Sequence, residues 1–161
     1  MVGLLDAESF LVAPDGLDSA AVEDLIIRGD RRAIPSHPLR RSVDDRSAVD
    51  AVAADIFVPA AVSGSLDRLG LDRLRAAGVG TIICGANQPI RETCLGETAT
   101  REYADANFLI LPDMVGSLGM ARSFYHLMDR TAHHSVAGTF GAVSKAMAES
   151  VQAILECQGW G

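Results

Sequence analysis

The sequence predicts an α/β fold, an open and mostly parallel sheet with flanking helices, because short apolar runs alternate with amphipathic stretches along the chain. Three of these runs also end alike, on small or turn-forming residues, at 59–61, 85–87 and 112–113. A chain of 161 residues is long enough to bury a core. We therefore expect one domain over 1–161.

The first half of the chain opens with an apolar strand candidate, Val2–Ala7, that closes on Asp6. Asp18 can cap the helix that follows, whose apolar positions fall at helical spacing until Gly29 stops it. Residues 31–42 contain two prolines and are predicted to be mostly loop, with one short edge strand near 33–34.

A short helix over 43–53 precedes the second clear strand, Asp55–Ala61, which is β-branched and aromatic and is broken by Pro59. A helix over Leu71–Gly78 leads to the third strand, "TIICGAN". The long stretch after it is predicted to be a polar connection to the fourth strand, "NFLILPD".

The C-terminal part of the chain, from Leu118 to Gln158, predicts two helices joined near 132–138. Strands that alternate with helical stretches pair in parallel, with helices on both faces of the sheet. The carboxyl ends of parallel strands face one edge, where ligands bind. Small residues at that edge would let an extended ligand approach the backbone, and Asp6 would add an acidic group there.

Composition excludes several classes of function. A formal net charge of -7 and an aromatic content of 5% argue against nucleic-acid binding. No apolar stretch is long enough to cross a membrane, and the N-terminus lacks the features of a signal peptide. Three cysteines without metal-type spacing predict neither a disulfide framework nor a metal site. We expect a reduced, cytoplasmic protein.

Four motifs in order carry a resemblance to a known family. "DAESFLVAPDGLD", "DIFVPAA", "GAN" and "PDMVGSLGMA" resemble the cofactor-binding domain of the glutamate/leucine/phenylalanine/valine dehydrogenases, over about 2–126. The resemblance implies a Rossmann-like dinucleotide-binding fold. It also implies oxidative deamination of an L-amino acid to a 2-oxo acid and ammonia with NAD or NADP.

Two parts of the family pattern are absent from the sequence. No glycine-rich G-x-G-x-x-G loop precedes the first strand, and no substrate domain with a catalytic lysine lies upstream. Lys145, the only lysine, does not match the catalytic position, so no catalytic residue is assigned. We expect the C-terminal portion of a longer enzyme, either excised or stand-alone. The alternative is a truncated, non-catalytic nucleotide-binding or assembly module.

The resemblance assigns cofactor contacts to six residues. Asp6 matches the acidic residue that meets the adenosine ribose, where a carboxylate would repel a 2′-phosphate and favour NAD over NADP; the alternative is a turn aspartate. The backbone at Pro59, Ala60 and Ala61 would pass the ribose region, unless it is merely a strand terminus.

Asn87 matches an asparagine near the nicotinamide, the alternative being a turn former that bonds its own backbone. Ser117 stands where the family commonly has another asparagine, and Met120 stands where a second glycine is frequent. A serine keeps one hydroxyl but loses the paired donor and acceptor of an amide. Arg91 and Arg101 stay unassigned between a pyrophosphate contact and a solvated loop.

The same pattern predicts unpaired strand edges. A doubly wound sheet has its first strand in the centre, and this chain begins at the second. "VGLLDA" and "DIFVPAA" would then each present an open apolar edge. We expect either direct pairing of these two strands or a homo-oligomer in which a neighbour supplies the missing edge.

Overall fold

The structure is a computed structural model that describes residues 1–28, 33–42, 52–94, 96–129 and 135–159. The chain divides into two compact units. The first unit covers 1–55 and 72–79, and the second covers 56–71 and 80–161.

The first unit contains an antiparallel sheet in the order β1-β2-β3. Its strands are β1 (Gly3–Leu5), β2 (Ser9–Val12) and β3 (Arg40–Ser42). Only residues 6–8 separate β1 from β2, and so short a connection permits a hairpin but no parallel crossover. Leu5 pairs with Phe10 at the closed end of this hairpin.

Helix α1 (Ser19–Arg28) confirms the capping that the sequence predicts, because the N–H of Ala21 donates to Asp18 Oδ1 at 2.7 Å. The core of the unit joins the hairpin to this helix and to the loop after it. Its buried members are Leu11, Ala13, Leu25 and Ile34.

The prediction that the first strand joins a parallel sheet is wrong, and β2 and β3 escaped the sequence analysis. Strand β2 is separated from β1 by only three residues and has four residues itself, so in the sequence it resembles a connection between a strand and a helix. All three side chains of β3 are exposed and polar, so this strand carries no apolar pattern. The helix predicted over 43–53 lies largely outside the described residues.

The second unit contains a parallel sheet in the order β4-β5-β6. Its strands are β4 (Ile56–Phe57), β5 (Thr81–Ile83) and β6 (Leu109–Leu111). Ile82 pairs with Phe57 on one side and with Ile110 on the other, as expected for the central strand. Helix α2 (Arg68–Ala76) follows β4, and helix α3 (Ala99–Asn107) connects β5 to β6.

Helix α3 corrects the prediction of a polar connection. Its only buried residues are Thr100 and Ala104, which are small, so the helix lacks the apolar periodicity that marks most helices. Glu92 stabilises its first turn by accepting the N–H groups of Thr100 and Arg101, each at 2.9 Å. Asp67 caps α2 in the same way through Gly70, at 2.9 Å.

A helical hairpin ends the described chain, and both of its helices were predicted. The short helix α4 (Asp113–Gly116) leads into α5 (Leu118–Met128), and α6 (Val136–Cys157) packs against α5. Ser135 caps α6 by accepting the N–H of Gly138 at 3.0 Å. None of the described helices is both long and apolar enough to span a membrane.

The predicted direct pairing of the two edge strands is wrong. Within the described residues, β1 has one strand neighbour, β2, and β4 has one, β5. Each strand therefore keeps one unpaired edge, and Leu5 and Ile56 on these strands are each 53% exposed. That a second copy of the chain supplies the missing strand stays a prediction.

Candidate functional site

The candidate site lies in the second unit, at the carboxyl edge of the parallel sheet. The carbonyl of Pro59, just beyond β4, accepts the N–H groups of Gly85 and Ala86 at 3.1 and 2.8 Å. The N–H of Cys84 donates to the carbonyl of Leu111 at 2.9 Å. These bonds fasten the ends of the three strands to one another, where open sheets of this class bind ligands.

Two glycines at this edge lie close to neighbouring atoms of the chain itself. A Cβ atom added to Gly85 would lie 3.0 Å from Cβ of Ala60, and one added to Gly116 would lie 2.8 Å from the carbonyl oxygen of Cys84. A ligand is therefore not needed to explain Gly85. Cys84 is buried, as predicted, and burial together with the charge of Asp113 raises the pKa of its thiol.

Two predicted site residues, 30 positions apart in the sequence, meet at this edge. The hydroxyl of Ser117 donates to Asn87 Oδ1 at 3.4 Å, and both residues are exposed. The side-chain NH₂ of Asn87 has no partner among the described residues and could donate to a ligand. Ala60 and Ala61 are exposed beside β4, whereas Pro59 is buried.

A second pair of residues, Gln88 and Asp113, also meets in the second unit, and the sequence analysis assigned a role to neither. Gln88 has a φ of 45°, and its N–H donates to Asp113 Oδ2 at 2.9 Å. The other carboxylate oxygen of Asp113 accepts the N–H of Met114 at 3.0 Å. Proximity in space is the only signal that connects Gln88 to Asp113, since 25 positions separate them in the sequence.

Asp6 lies in the first unit, in the turn between β1 and β2. Its Oδ1 accepts the N–H groups of Glu8 and Ser9 at 2.8 and 2.6 Å. Its Oδ2 accepts the hydroxyl of Ser9 at 3.0 Å and the N–H of Ile34 at 2.6 Å. An ionised carboxylate accepts about four hydrogen bonds, so the chain itself fills this capacity. Asp6 therefore acts as a turn aspartate in this structure, and its contact with the ribose stays a prediction.

The same bonds set the ionisation of Asp6. Partial burial opposes the charged form, but the hydrogen bonds from Ile34, Glu8 and Ser9 outweigh it and lower the pKa of the carboxyl. The hydroxyl of Ser9 in turn accepts from Arg40 Nε at 2.9 Å, so β3 is tied to the turn through Ser9.

The two arginines left open by the sequence both have contacts within the chain. The guanidinium of Arg91 lies 2.9 Å from Asp67 Oδ2, and its aliphatic stem packs against Gly64. The N–H of Arg101 donates to Glu92. Partial burial opposes the ionisation of Glu92, but the bonds from Thr100 and Arg101 prevail and lower the pKa of its carboxyl.

Comparisons with known proteins bear on the fold. A lysine-to-leucine mutant of glutamate dehydrogenase is 14% identical, with a TM-score of 0.61 over 99% of this chain and 37% of its own. Plasmodium falciparum glutamate dehydrogenase is 15% identical, with a TM-score of 0.64 over 92% of this chain and 32% of its own. Plasmodium falciparum glutamate dehydrogenase 2 is 14% identical, with a TM-score of 0.63 over 96% and 34%.

These likenesses confirm the predicted fold class, an incomplete Rossmann-like α/β domain. The chain spans about a third of the length of these structures. A comparison with curated protein sequences finds no match. The sequence profile described as glutamate/leucine/phenylalanine/valine dehydrogenase matches residues 1–156, nearly the whole chain. The chain therefore belongs to the glutamate/leucine/phenylalanine/valine dehydrogenase family.

Proposed function

We propose that this chain is the cofactor-binding portion of an NAD-dependent L-amino-acid dehydrogenase, which deaminates its substrate oxidatively to a 2-oxo acid and ammonia. Members of the family use NAD or NADP. The observation that carries the proposal is the meeting of Asn87 and Ser117 at the carboxyl edge of the parallel sheet, exposed to solvent.

The residues at this edge fit a ligand of sugar and amide chemistry. Asn87 offers an amide NH₂ to a ribose hydroxyl or a carboxamide oxygen, and the bond from Ser117 to its Oδ1 orients that amide. Ala60 and Ala61 are small and exposed, which lets a flat ligand approach the backbone. The carbonyl of Pro59 already has two partners, so Pro59 shapes the edge through the backbone.

When bound, the nicotinamide accepts or donates a hydride. In the proposed division of labour this chain binds and orients the dinucleotide, and no residue of it is assigned a proton-transfer step. Asp6 adds a preference for NAD, because its carboxylate would repel a 2′-phosphate. The amino acid that serves as substrate is left open.

The proposal extends to the setting of the protein. We place it in the cytoplasm, in a homo-oligomer, with the dinucleotide as its ligand and without nucleic-acid or membrane partners. Cys84, Cys94 and Cys157 are free thiols, which suits a reducing compartment. A net charge of -7 disfavours nucleic acid.

Isothermal titration calorimetry with NAD tests the proposal. We expect weak but saturable binding, and Asn87→Ala should lower the affinity about three- to tenfold, the value of one hydrogen bond. Ser117→Ala removes the hydroxyl that orients the amide of Asn87 and should also lower the affinity. Ser144→Ala, at an exposed serine on α6, is its matched control and should leave the affinity unchanged. Wild-type affinity in Asn87→Ala would contradict the assigned site.

A second measurement tests whether the chain is active by itself. We expect the 161-residue chain alone not to reduce NAD with glutamate, leucine, phenylalanine or valine, because the chain carries no assigned base. NAD-dependent turnover by the purified chain would contradict this expectation. No NAD binding at all would favour an assembly module, whereas NAD binding that Asn87→Ala weakens is expected both of the enzyme portion and of a nucleotide-binding module.

A further inference from the structure

Gln88, next to Asn87, has an unusual backbone conformation. Its φ of 45° is the only positive value of a non-glycine residue in the part of the chain that the structure describes. This left-handed region is disfavoured by roughly a factor of ten for residues with a Cβ atom. Surrounding contacts must hold such a residue, and strain of this kind concentrates at functional sites.

Asp113 provides the side chain that holds it. One carboxylate oxygen accepts the N–H of Gln88 at 2.9 Å, and the other accepts the N–H of Met114 in α4 at 3.0 Å. The carbonyl of Gln88 accepts the N–H of Gly64 at 2.9 Å, so Gln88 is fixed on both of its peptide groups. Asp113 is half-buried, which limits competition from water.

The same aspartate also reaches Ser117. The N–H of Ser117 donates to the carbonyl of Asp113 at 2.8 Å. Through its side chain Asp113 fixes the neighbour of Asn87, and through its backbone it fixes Ser117. Asp113 therefore helps to fix both residues that meet at the sheet edge, Asn87 through its neighbour and Ser117 directly.

We propose that Asp113 is a positioning residue that holds Gln88 in the left-handed conformation and thereby presents the amide of Asn87 to the dinucleotide. The inference rests on the proposed function, since it names the group that organises the same site. Asp113 itself needs no contact with the ligand. Asp113 orders the turn before the dinucleotide binds, which lowers the free-energy cost of ordering the turn on binding.

The test combines two substitutions with opposite effects on the turn. Asp113→Ala removes the acceptor of Gln88, so the turn can relax to a negative φ and displace Asn87. We expect the affinity for NAD to fall about tenfold in calorimetry. Gln88→Gly removes the steric penalty of a positive φ. The double variant Asp113→Ala/Gln88→Gly should therefore recover NAD affinity to within about threefold of wild type.

Two further readouts distinguish positioning from general stability. The side-chain amide resonances of Asn87 should shift in Asp113→Ala and return in the double variant, while Ser144→Ala leaves them unchanged. Asp113→Ala and Asn87→Ala should also be non-additive for NAD affinity. Asp113→Leu, which has a similar branched shape and no acceptor oxygen, serves if Asp113→Ala does not fold, and the same loss of NAD affinity is expected of it.

Two outcomes would overturn the inference: unchanged NAD affinity in Asp113→Ala, or a loss of affinity that Gln88→Gly does not restore. The failure of the proposed function is recognised separately. If wild type does not bind NAD, the Asn87 resonances still report whether Asp113 fixes the turn, because they are measured without ligand. Unshifted resonances in Asp113→Ala would then refute the positioning role.

Discussion

Replacing Asp6 with alanine should destabilise the first unit by about 2–4 kcal/mol. Four hydrogen bonds converge on this carboxylate. The N–H of Glu8 is exposed and water replaces its partner, and the Ser9 hydroxyl keeps its bond to Arg40. The N–H groups of Ser9 and Ile34 belong to residues only 3% and 4% exposed. Each loses its acceptor at a cost of about 1–3 kcal/mol, less where water enters.

The assay is chemical denaturation of wild type and Asp6→Ala, followed by circular dichroism, with amide hydrogen exchange at Ile34 as a local probe. Asp15→Ala is the matched control, because Asp15 is an exposed turn aspartate of the same unit. We expect the control to lie within about 0.5 kcal/mol of wild type. A loss in Asp6→Ala no larger than in Asp15→Ala would refute the reasoning.

The pH dependence gives an independent check on the same carboxylate. The folded state lowers the pKa of Asp6, so its stabilisation is complete above the ordinary carboxyl value of about 3.9. That stabilisation is lost as the pH falls below about 4 towards the lowered value in the folded state. The difference in stability between wild type and Asp6→Ala should therefore shrink in acid, and a constant difference would contradict the assignment.

Two further predictions concern packing in the second unit and in α2. Gly116→Ala should destabilise the protein by about 1–3 kcal/mol in thermal melts, because its Cβ would meet the Cys84 carbonyl oxygen at 2.8 Å. Gly141→Ala, with open space in α6, should be neutral or stabilising by up to about 1 kcal/mol in the same thermal melts. Leu71→Ala should lower the free energy of unfolding by about 2–5 kcal/mol in denaturant titrations, because Leu71 is fully buried. The exposed Leu69 on the same helix should tolerate alanine. Equal losses of stability at both leucines would contradict the assigned face of α2.

The sequence predicted the elements whose side chains carry a burial pattern. Ile82 is buried in the central strand of the parallel sheet and Ile110 in an outer strand. Runs of apolar residues in the sequence predict both strands. Strand β3 and helix α3 lack such runs, because one is wholly exposed and the other buries only small residues. Both escaped prediction for the same physical reason, since little apolar surface is buried by either.

Strand direction was the least predictable feature. The apolar run of β1 is the same whether its neighbour lies parallel or antiparallel. The three-residue connection to β2 decides the direction, and it was visible only once Ser9–Val12 was recognised as a strand. The family resemblance added order and spacing but carried no information on this hairpin.

The sequence pointed to two residues of the candidate site, Asn87 and Ser117, but not to all of its internal bonds. The position of Asn87 at a strand end and the match of Ser117 to the family pattern placed both residues at the same edge of the sheet, so their contact could be expected from the sequence. The bond between Asp113 and Gln88 depends on a positive φ at a glutamine, which no residue preference indicates. Backbone conformations that oppose local preference are set by tertiary contacts, and these are read only from the structure.

The turn role of Asp6 and its proposed part in discriminating against NADP are separable by charge. Its hydrogen-bonding capacity is filled by the turn, but hydrogen bonds from neutral N–H and O–H groups leave the negative charge in place. Coulomb repulsion of a 2′-phosphate needs only that charge and no free acceptor. The proposed discrimination against NADP therefore does not require that Asp6 accept a ribose hydroxyl.

Asp6→Asn tests this separation, because it removes the charge and keeps one acceptor oxygen for the turn. A pair of unit charges at contact range in water amounts to about 1 kcal/mol, or roughly fivefold in affinity. We expect the ratio of NADP to NAD affinity to rise by this factor in calorimetry, and Asp15→Asn to leave it unchanged. The effect should shrink in high salt, where exposed charges are screened. An unchanged ratio in Asp6→Asn at low salt would assign Asp6 to the hairpin alone.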